Sequence, residues 1–400
     1  MDTQELIETI RDKAHRYRME TAKTLAAMIK IPSLSGEEEE IVRHLEPVVR
    51  SVGFDEVRVD GLGNIVGRIG SGKKILAFDG HIDTVDTGDR SQWVKDPFSG
   101  EIDDEYVYGR GAVDQEGGVA AMLTAARILK ELDYDGEFTV YFTFTIMEED
   151  ADGLCWLWLI EREGIRPDYA VITEPTNLGV YRGHRGRMEM DVSFGGRSAH
   201  GSAPERGDNA IYKASRGALA LEKLNDDLSP DPFLGKGTVV ISRFRSSAPS
   251  LCAVADGAEL HVDRRLTWGE TKEVALKQVQ AACGPDATVT VTQYDRVSFT
   301  GAQYPQEAYF PTWKIPPDHP LVQAGAETYR QLFRAEPVVD KWTFSTNAVS
   351  ICGRYEIPTI GFGPGDEVQA HAPNEHTPIE HLEKASAFYA ALPYIMEESV

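Results

Sequence analysis

Three short apolar runs, ILAFDGH (75–81), TVYFTFTIM (139–147) and YAVITE (169–174), constrain this chain most. Each is a few residues long, rich in β-branched and aromatic side chains, and runs straight into a histidine or an acid. Amphipathic stretches with helical spacing separate them, GGVAAMLTAARILKEL after Gly117 being the clearest. Buried strands alternating with helices predict an α/β fold with a mixed, mostly parallel sheet flanked by helices. In such a sheet the carboxyl ends of parallel strands line one edge, where ligands bind. His81 and Asp83, Glu148 and Glu149, and Glu174 all follow predicted strands, so they should converge.

The flanking segments fit the same picture. The first forty residues read as helical, and Ser35 with Glu38 is expected to form a capping box opening a second helix. VRVD and NIVGRIG around Gly61–Asn64 read as a hairpin. Between about Gly183 and Arg296 the pattern changes to strand, helix, strand, strand, helix, strand, which matches a ferredoxin-like α+β unit able to close its own core. The expected division is therefore 1–182 for a first catalytic part, 183–296 for an inserted satellite domain, and 297–400 for a second catalytic part. YFPTWKIPPDHP reads as the re-entry linker.

Composition excludes several classes. A net charge of −23 with no basic run disfavours nucleic acid and anionic membrane surfaces. No window approaches the roughly 18 apolar residues of a membrane span. The four cysteines form no C-x-x-C pair, so neither a disulfide framework nor a thiolate metal site is expected, and a reducing, cytoplasmic location fits best.

The chemistry lies in the strand ends. Asp114 sits in the Gly-rich turn GRGAVDQEGG, and His371 in AHAPNEH after the IPTIGFGP strand. Two imidazoles with three or more carboxylates make a mixed N/O set suited to zinc, cobalt or manganese, and they can hold two ions if one carboxylate bridges. Asp114 is the expected bridge. Adjacent carboxylates on an extended chain face opposite ways, so Glu149 is assigned as a ligand and Glu148 as the base. Asp83, two residues beyond His81, is expected to receive the imidazole N–H on its carboxylate.

GHIDTV (80–85), GRGAVDQEGG (109–118), MEED (147–150), TEP (173–175), GGRSAHGSAPERGDNAI (195–211) and HAPNE (371–375) resemble, in order, the signature of the di-metal amidohydrolase and exopeptidase family. That family includes acetylornithine deacetylase, succinyl-diaminopimelate desuccinylase, carboxypeptidase G and aminoacylase. The resemblance implies that His81, Asp114, Glu149, Glu174 and His371 are ligands, that Glu148 is the general base, and that the satellite domain makes a homodimer. It also implies that His200 reaches the partner's site to hydrogen-bond the developing oxyanion, and that Arg265 clamps a substrate carboxylate. Period-2 alternation puts Arg264 on the opposite face. Asn209 either lines the site or caps the following helix.

Departures narrow the reading. Glu116 stands where many relatives have Lys, and STNAV (345–349), with Asn347 placed among the substrate-binding residues, replaces an Asp-containing turn. DQEGG with WTFSTNAV resembles the selenium-metabolism-linked hydrolase subgroup. Glu174, where the carbamoyl-hydrolysing branch tends to carry His, favours a deacylase or dipeptidase of a small linear amide bearing a carboxylate. A carbamoyl amidase of ureide or nucleobase breakdown is the alternative within the family, and a non-hydrolytic binding or scaffold protein the alternative outside it.

Overall fold

The computed structural model describes residues 2–399; Met1 and Val400, the outer ends of the two expected catalytic parts, lie outside the described residues. The chain opens with α1 (Thr3–Ile29) and α2 (Glu39–Val52), followed by the hairpin β1 (Glu56–Val59) and β2 (Ile65–Ile69) and by β3 (Lys74–His81). Then come α3 (Glu116–Glu131), β4 (Phe138–Thr145), β5 (Tyr169–Ile172) and β6 (Val180–Tyr181). After an insertion, α6 (Pro320–Phe333), β11 (Val339–Asp340), β12 (Thr359–Gly361) and α7 (Ile379–Ser399) complete the unit. Among the described residues the large sheet has the order β1-β2-β4-β3-β5-β12-β6-β11. Its four central strands, β4, β3, β5 and β12, are mutually parallel, and β6 pairs with β11 in parallel. The hairpin and the β12–β6 junction are antiparallel. The expected mixed, mostly parallel sheet is what forms.

Apolar alternation explains where the sheet packs. Leu76 and Phe78 on β3 and Val140, Phe142 and Phe144 on β4 are fully buried, and α1, α3 and α7 pack against one another over them. Phe78 stacks on Phe142 with ring centroids 5.2 Å apart and meets Tyr389 of α7 at 5.5 Å. Burying each such side chain contributes about 1.5–3 kcal/mol before conformational entropy is subtracted.

The insertion comprises β7 (Gly186–Gly195), α4 (Ala210–Asp227), β8 (Thr238–Ser247), β9 (Gly257–Leu266), α5 (Lys272–Cys283) and β10 (Ala287–Val291). Its antiparallel sheet has the order β8-β9-β7-β10, and a separate apolar cluster around Met190, Leu260, Val262 and Leu221 forms its core. This is the ferredoxin-like α+β arrangement. Strict alternation on β9 buries Arg264 against Glu270 and turns Arg265 to the other face.

Two local expectations fail. The Ser35–Glu38 capping box does not form: α2 starts at Glu39, and Glu38 Oε1 accepts from the Gly36 and Met147 N–H groups. Ser35 Oγ donates to Asp83 instead. Ser35 thus bonds across the fold, and Glu38 accepts both from its own turn and from the distant Met147. The re-entry segment is also more ordered than a linker, since Tyr309–Phe310 pairs with β7 and Trp313–Lys314 pairs with Gly183–His184.

Candidate active site

Strand ends deliver the first group of residues. His81, the last residue of β3, is fully buried, and its Nδ1–H donates to the backbone carbonyl of Asp83 at 2.8 Å. A carbonyl only accepts, which turns Nε2 toward the cavity. There Nε2 lies 3.0 Å from Asp114 Oδ1, 3.4 Å from Glu174 Oε1 and 3.8 Å from Glu148 Oε2. The expected carboxylate partner of His81 is thus corrected: Asp83 Oδ1 is 3.5 Å from Nδ1, and the backbone oxygen takes the bond. The Asp83 carboxylate accepts the N–H groups of Glu148 and Glu149, each at 3.1 Å, and the Ser35 hydroxyl at 2.6 Å.

The second group comes from loops. His371 Nε2 lies 2.9 Å from Glu149 Oε2 and 3.3 Å from Asp114 Oδ2. Asp114 therefore turns one carboxylate oxygen to each imidazole. Its turn is held by Glu375, whose Oε1 accepts from the N–H groups of Val113 and Asp114 at 2.7 and 3.0 Å. Glu375 Oε2 accepts from Arg110 Nη1 at 2.6 Å, a fully buried ion pair. HAPNE thus supplies both His371 and the anchor of the Asp114 turn. Met147 and His371 adopt left-handed backbone, at φ 60° each, which is costly for residues with a Cβ and persists only where surrounding bonds enforce it.

Burial and charge act together here. Burial pushes the Glu148 carboxyl well above its ordinary value, Glu149 up to about 7 and Glu174 up to about 8, with the neighbouring Asp114 charge adding to the last two. Burial would also raise Asp114, but hydrogen bonds from His371 and His81 override it and hold this carboxyl far below the carboxylate range. Those contacts with Asp114 and Glu149 lift His371 to about 11. Four acids around two imidazoles at such spacing repel one another unless cations intervene. The donor set fits divalent ions. Ligand atoms of His81, Glu148 and Glu174, and of His81, Asp114 and Glu149, lie within 4.8 Å of one another. Glu148 Oε1, Glu149 Oε1 and Glu174 Oε2 are buried without a hydrogen-bond partner. Paired imidazoles and carboxylates with free lone pairs are what zinc, cobalt or manganese take.

These groups open into a cavity of about 320 Å³. Arg265 lines it. Asn347, expected to bind substrate, does not: it is buried, its amide nitrogen donates to Asp79 at 2.8 Å, and its oxygen accepts from the Gly153 N–H. Ser345 and Thr343 from the same segment line the wall instead. Asn209 caps α4, accepting from the Ile211 N–H at 2.9 Å, and the helix-capping alternative is the one observed. His200 is exposed on the insertion, its Nδ1 2.8 Å from Ser202 Oγ, and is not part of this chain's cavity lining. Residue-level reading missed Arg187 and Asp152, which line the cavity and pair at 3.0 Å. The one available signal was the alternation of β7, which puts Arg187 on the polar face with Glu189 and Asp191.

The chain is similar to known proteins over most of its length. The model of peptidase family M20/M25/M40 matches residues 77–394. The protein YgeY of Escherichia coli (strain K12) is 50% identical over 387 residues, 96% of each chain. Acetylornithine deacetylase of Klebsiella pneumoniae (strain 342) is 29% identical over 379 residues, 88% of this chain and 91% of that one. Among solved structures, YXEP of Bacillus subtilis, a dinuclear metal binding peptidase of the M20 family, superimposes with a TM-score of 0.68. It is 16% identical and shares the fold over 96% of this chain and 100% of its own.

Proposed function

We propose that this chain, which belongs to peptidase family M20/M25/M40 and is a metal-dependent hydrolase of amide or peptide bonds, cleaves a small linear amide that carries a free carboxylate. An N-acyl amino acid or a dipeptide has this form. The observation that carries the reading is Asp114, with one oxygen toward each of two imidazoles, 3.0 Å from His81 and 3.3 Å from His371. His81 and Glu174 would share one divalent ion with Asp114, and His371 and Glu149 the other. Such ions polarise a carbonyl and lower the pKa of water. Zinc is the first candidate, with cobalt and manganese next.

Glu148 is the proposed base. It projects a buried oxygen that no protein group occupies, and burial raises its proton affinity, so it can take a proton from water and return it to the leaving nitrogen. Asp83 is the positioning residue that holds the backbone of Glu148. Arg265 borders the space left for the carboxylate end of the substrate. The cavity's size suits a small molecule better than a polypeptide.

We assign residues 183–296 as a satellite domain that pairs two subunits. Exposed Tyr212, Leu219, Val240 and Phe244 lie on α4 and the outermost strand β8, an edge a symmetric partner would cover. His200 would then serve the partner's oxyanion. No helix among the described residues is long and apolar enough to cross a membrane, and the exposed free thiol of Cys252 favours a cytoplasmic setting.

The test is a panel of N-acyl amino acids, dipeptides and carbamoyl compounds given to the zinc-, cobalt- or manganese-loaded protein. Release of a primary amine together with a free acid is expected. Ammonia and carbon dioxide from the carbamoyl compounds alone would move the assignment to a carbamoyl amidase, and no turnover of any member would reject hydrolysis of this substrate class.

A further inference from the structure

Two guanidinium groups line the cavity among its carboxylates, those of Arg187 and Arg265. A guanidinium carries five N–H donors in a planar fork that matches the two oxygens of a carboxylate. Arg265 has its Nε–Nη2 edge engaged: these nitrogens donate to the two oxygens of Asp263, both at 2.9 Å. Arg187 does not. Its Nη2 donates to Asp152 Oδ1 at 3.0 Å and approaches the Asp150 carbonyl at 3.4 Å. Its Nη1 is 3.7 Å from Glu189 Oε1, beyond hydrogen-bond length, and its Nε is buried without a partner.

The side chain is also held in place. Its guanidinium lies over the Phe310 ring, 4.6 Å from the centroid, and Asp152 is itself fixed by the Ser345 hydroxyl. Arg187 belongs to β7 of the inserted sheet, whereas Asp152 follows Glu148 and Glu149 at the end of β4, so the cation stands where the two walls of the cavity meet. A largely buried cation with unmade donors is costly in a folded protein, and an anionic ligand supplies the missing acceptors.

We propose that Arg187 is the residue that selects substrates by their carboxylate, with Arg265, whose Nε–Nη2 edge Asp263 already holds, in a supporting place. This rests on the amide-hydrolase reading above. The substrate then lies with its scissile carbonyl among His81, Asp114 and Glu148 and its carboxylate toward the Arg187–Asp152 pair. Lysine replaces arginine only in part here, because it offers charge without the fork.

Matched substrates test the assignment: N-acetyl amino acids and dipeptides against their C-terminal carboxamides, with metal-loaded enzyme. Arg187→Met should raise KM for the carboxylate members roughly 10- to 100-fold while moving KM for the carboxamides, and kcat for both, less than about threefold. Arg187→Lys should recover part of the loss, and Arg265→Met should weaken the carboxylate preference less than Arg187→Met does. A purely structural role would instead lower kcat or folding for both. Because Arg187→Met leaves Asp152 unpaired, the double variant Arg187→Met/Asp152→Asn removes both charges and serves if the single variant does not fold. Calorimetric binding of N-acetylglycine and N-acetylglycinamide to the metal-loaded Glu148→Gln protein separates recognition from turnover. Carboxylate preference that depends on Arg187, without hydrolysis by the wild type, would reject the hydrolase reading and leave this one standing. Equal handling of carboxylates and carboxamides by the wild type, or an unchanged preference in Arg187→Met, would overturn it.

Discussion

The Asp83 carboxylate accepts the backbone N–H of Glu148 at 3.1 Å, so a residue two positions beyond the end of the His81 strand holds the proposed base in place. Its second oxygen does the same for Glu149 at 3.1 Å. Groups that orient ligands from behind typically contribute 10- to 100-fold in metal affinity or activity. Asp83→Ala should lower kcat/KM by about that factor, with the loss appearing in steady-state kinetics and any loss of metal in elemental analysis. Wild-type values for both would show that the backbone of Glu148 and Glu149 is held without it.

Glu148→Gln should reduce turnover by at least roughly 10²- to 10⁴-fold, the usual contribution of a positioned general base. Metal content should stay near that of the wild type, because the remaining acids and both imidazoles are unchanged. Full activity in this variant would remove Glu148 from the mechanism.

Asp114→Ala should behave differently, since both imidazoles lose their shared carboxylate. Metal stoichiometry and activity are expected to fall together. Elemental analysis finding two tightly held ions would contradict a bridging role.

His184 governs a separate, acid-side prediction. Its Nδ1 donates to the Arg185 carbonyl, and its Nε2 accepts the Thr346 N–H at 3.1 Å, so the ring is neutral. Burial depresses it to about 4 from the ordinary 6.5. In the unfolded chain it protonates near 6.5, so the stability it contributes is present above that pH and is lost as pH falls toward 4, by roughly 2–3 kcal/mol. Urea midpoints at pH 7.5 and 4.5 should therefore converge more in His184→Gln than in the wild type. An equal drop in both proteins would place the acid lability elsewhere.

His200→Ala should lower kcat by roughly 10²- to 10³-fold with metal content unchanged, the range for losing one preorganised donor. Mixing it with Glu148→Gln should restore activity on subunit exchange, because one site of the heterodimer then carries neither lesion. Heterodimers that form and stay inactive would mean that His200 acts within its own chain or not at all.

Much of the architecture was legible without coordinates. Short apolar runs leading into His81, Glu148 and Glu174 mark strands whose ends carry chemistry, and local alternation along β9 separates Arg264 from Arg265. Such patterns depend only on neighbours in the chain and on the two periods of regular structure. The capping box failed because Ser35 found Asp83, 48 positions away, and Glu38 found the Met147 N–H, 109 positions away. Asn347 carried a polar side chain in a suggestive loop, yet its partner is Asp79, 268 positions away.

The sequence by itself determined the order of elements and the set of residue types available for catalysis, because apolar periodicity and turn chemistry act locally. Tertiary structure alone decided which acceptor His81 uses, which oxygen of Asp114 meets which imidazole, and which arginine keeps its Nε unpaired. Arg187 and Arg265 are the same residue type on neighbouring strands, directly opposite in register. What separates them is that Asp263 takes both Nε and Nη2 of one guanidinium while Asp152 takes a single Nη2 of the other, and a hydrogen bond's existence depends on distances of tenths of an ångström that only packing sets.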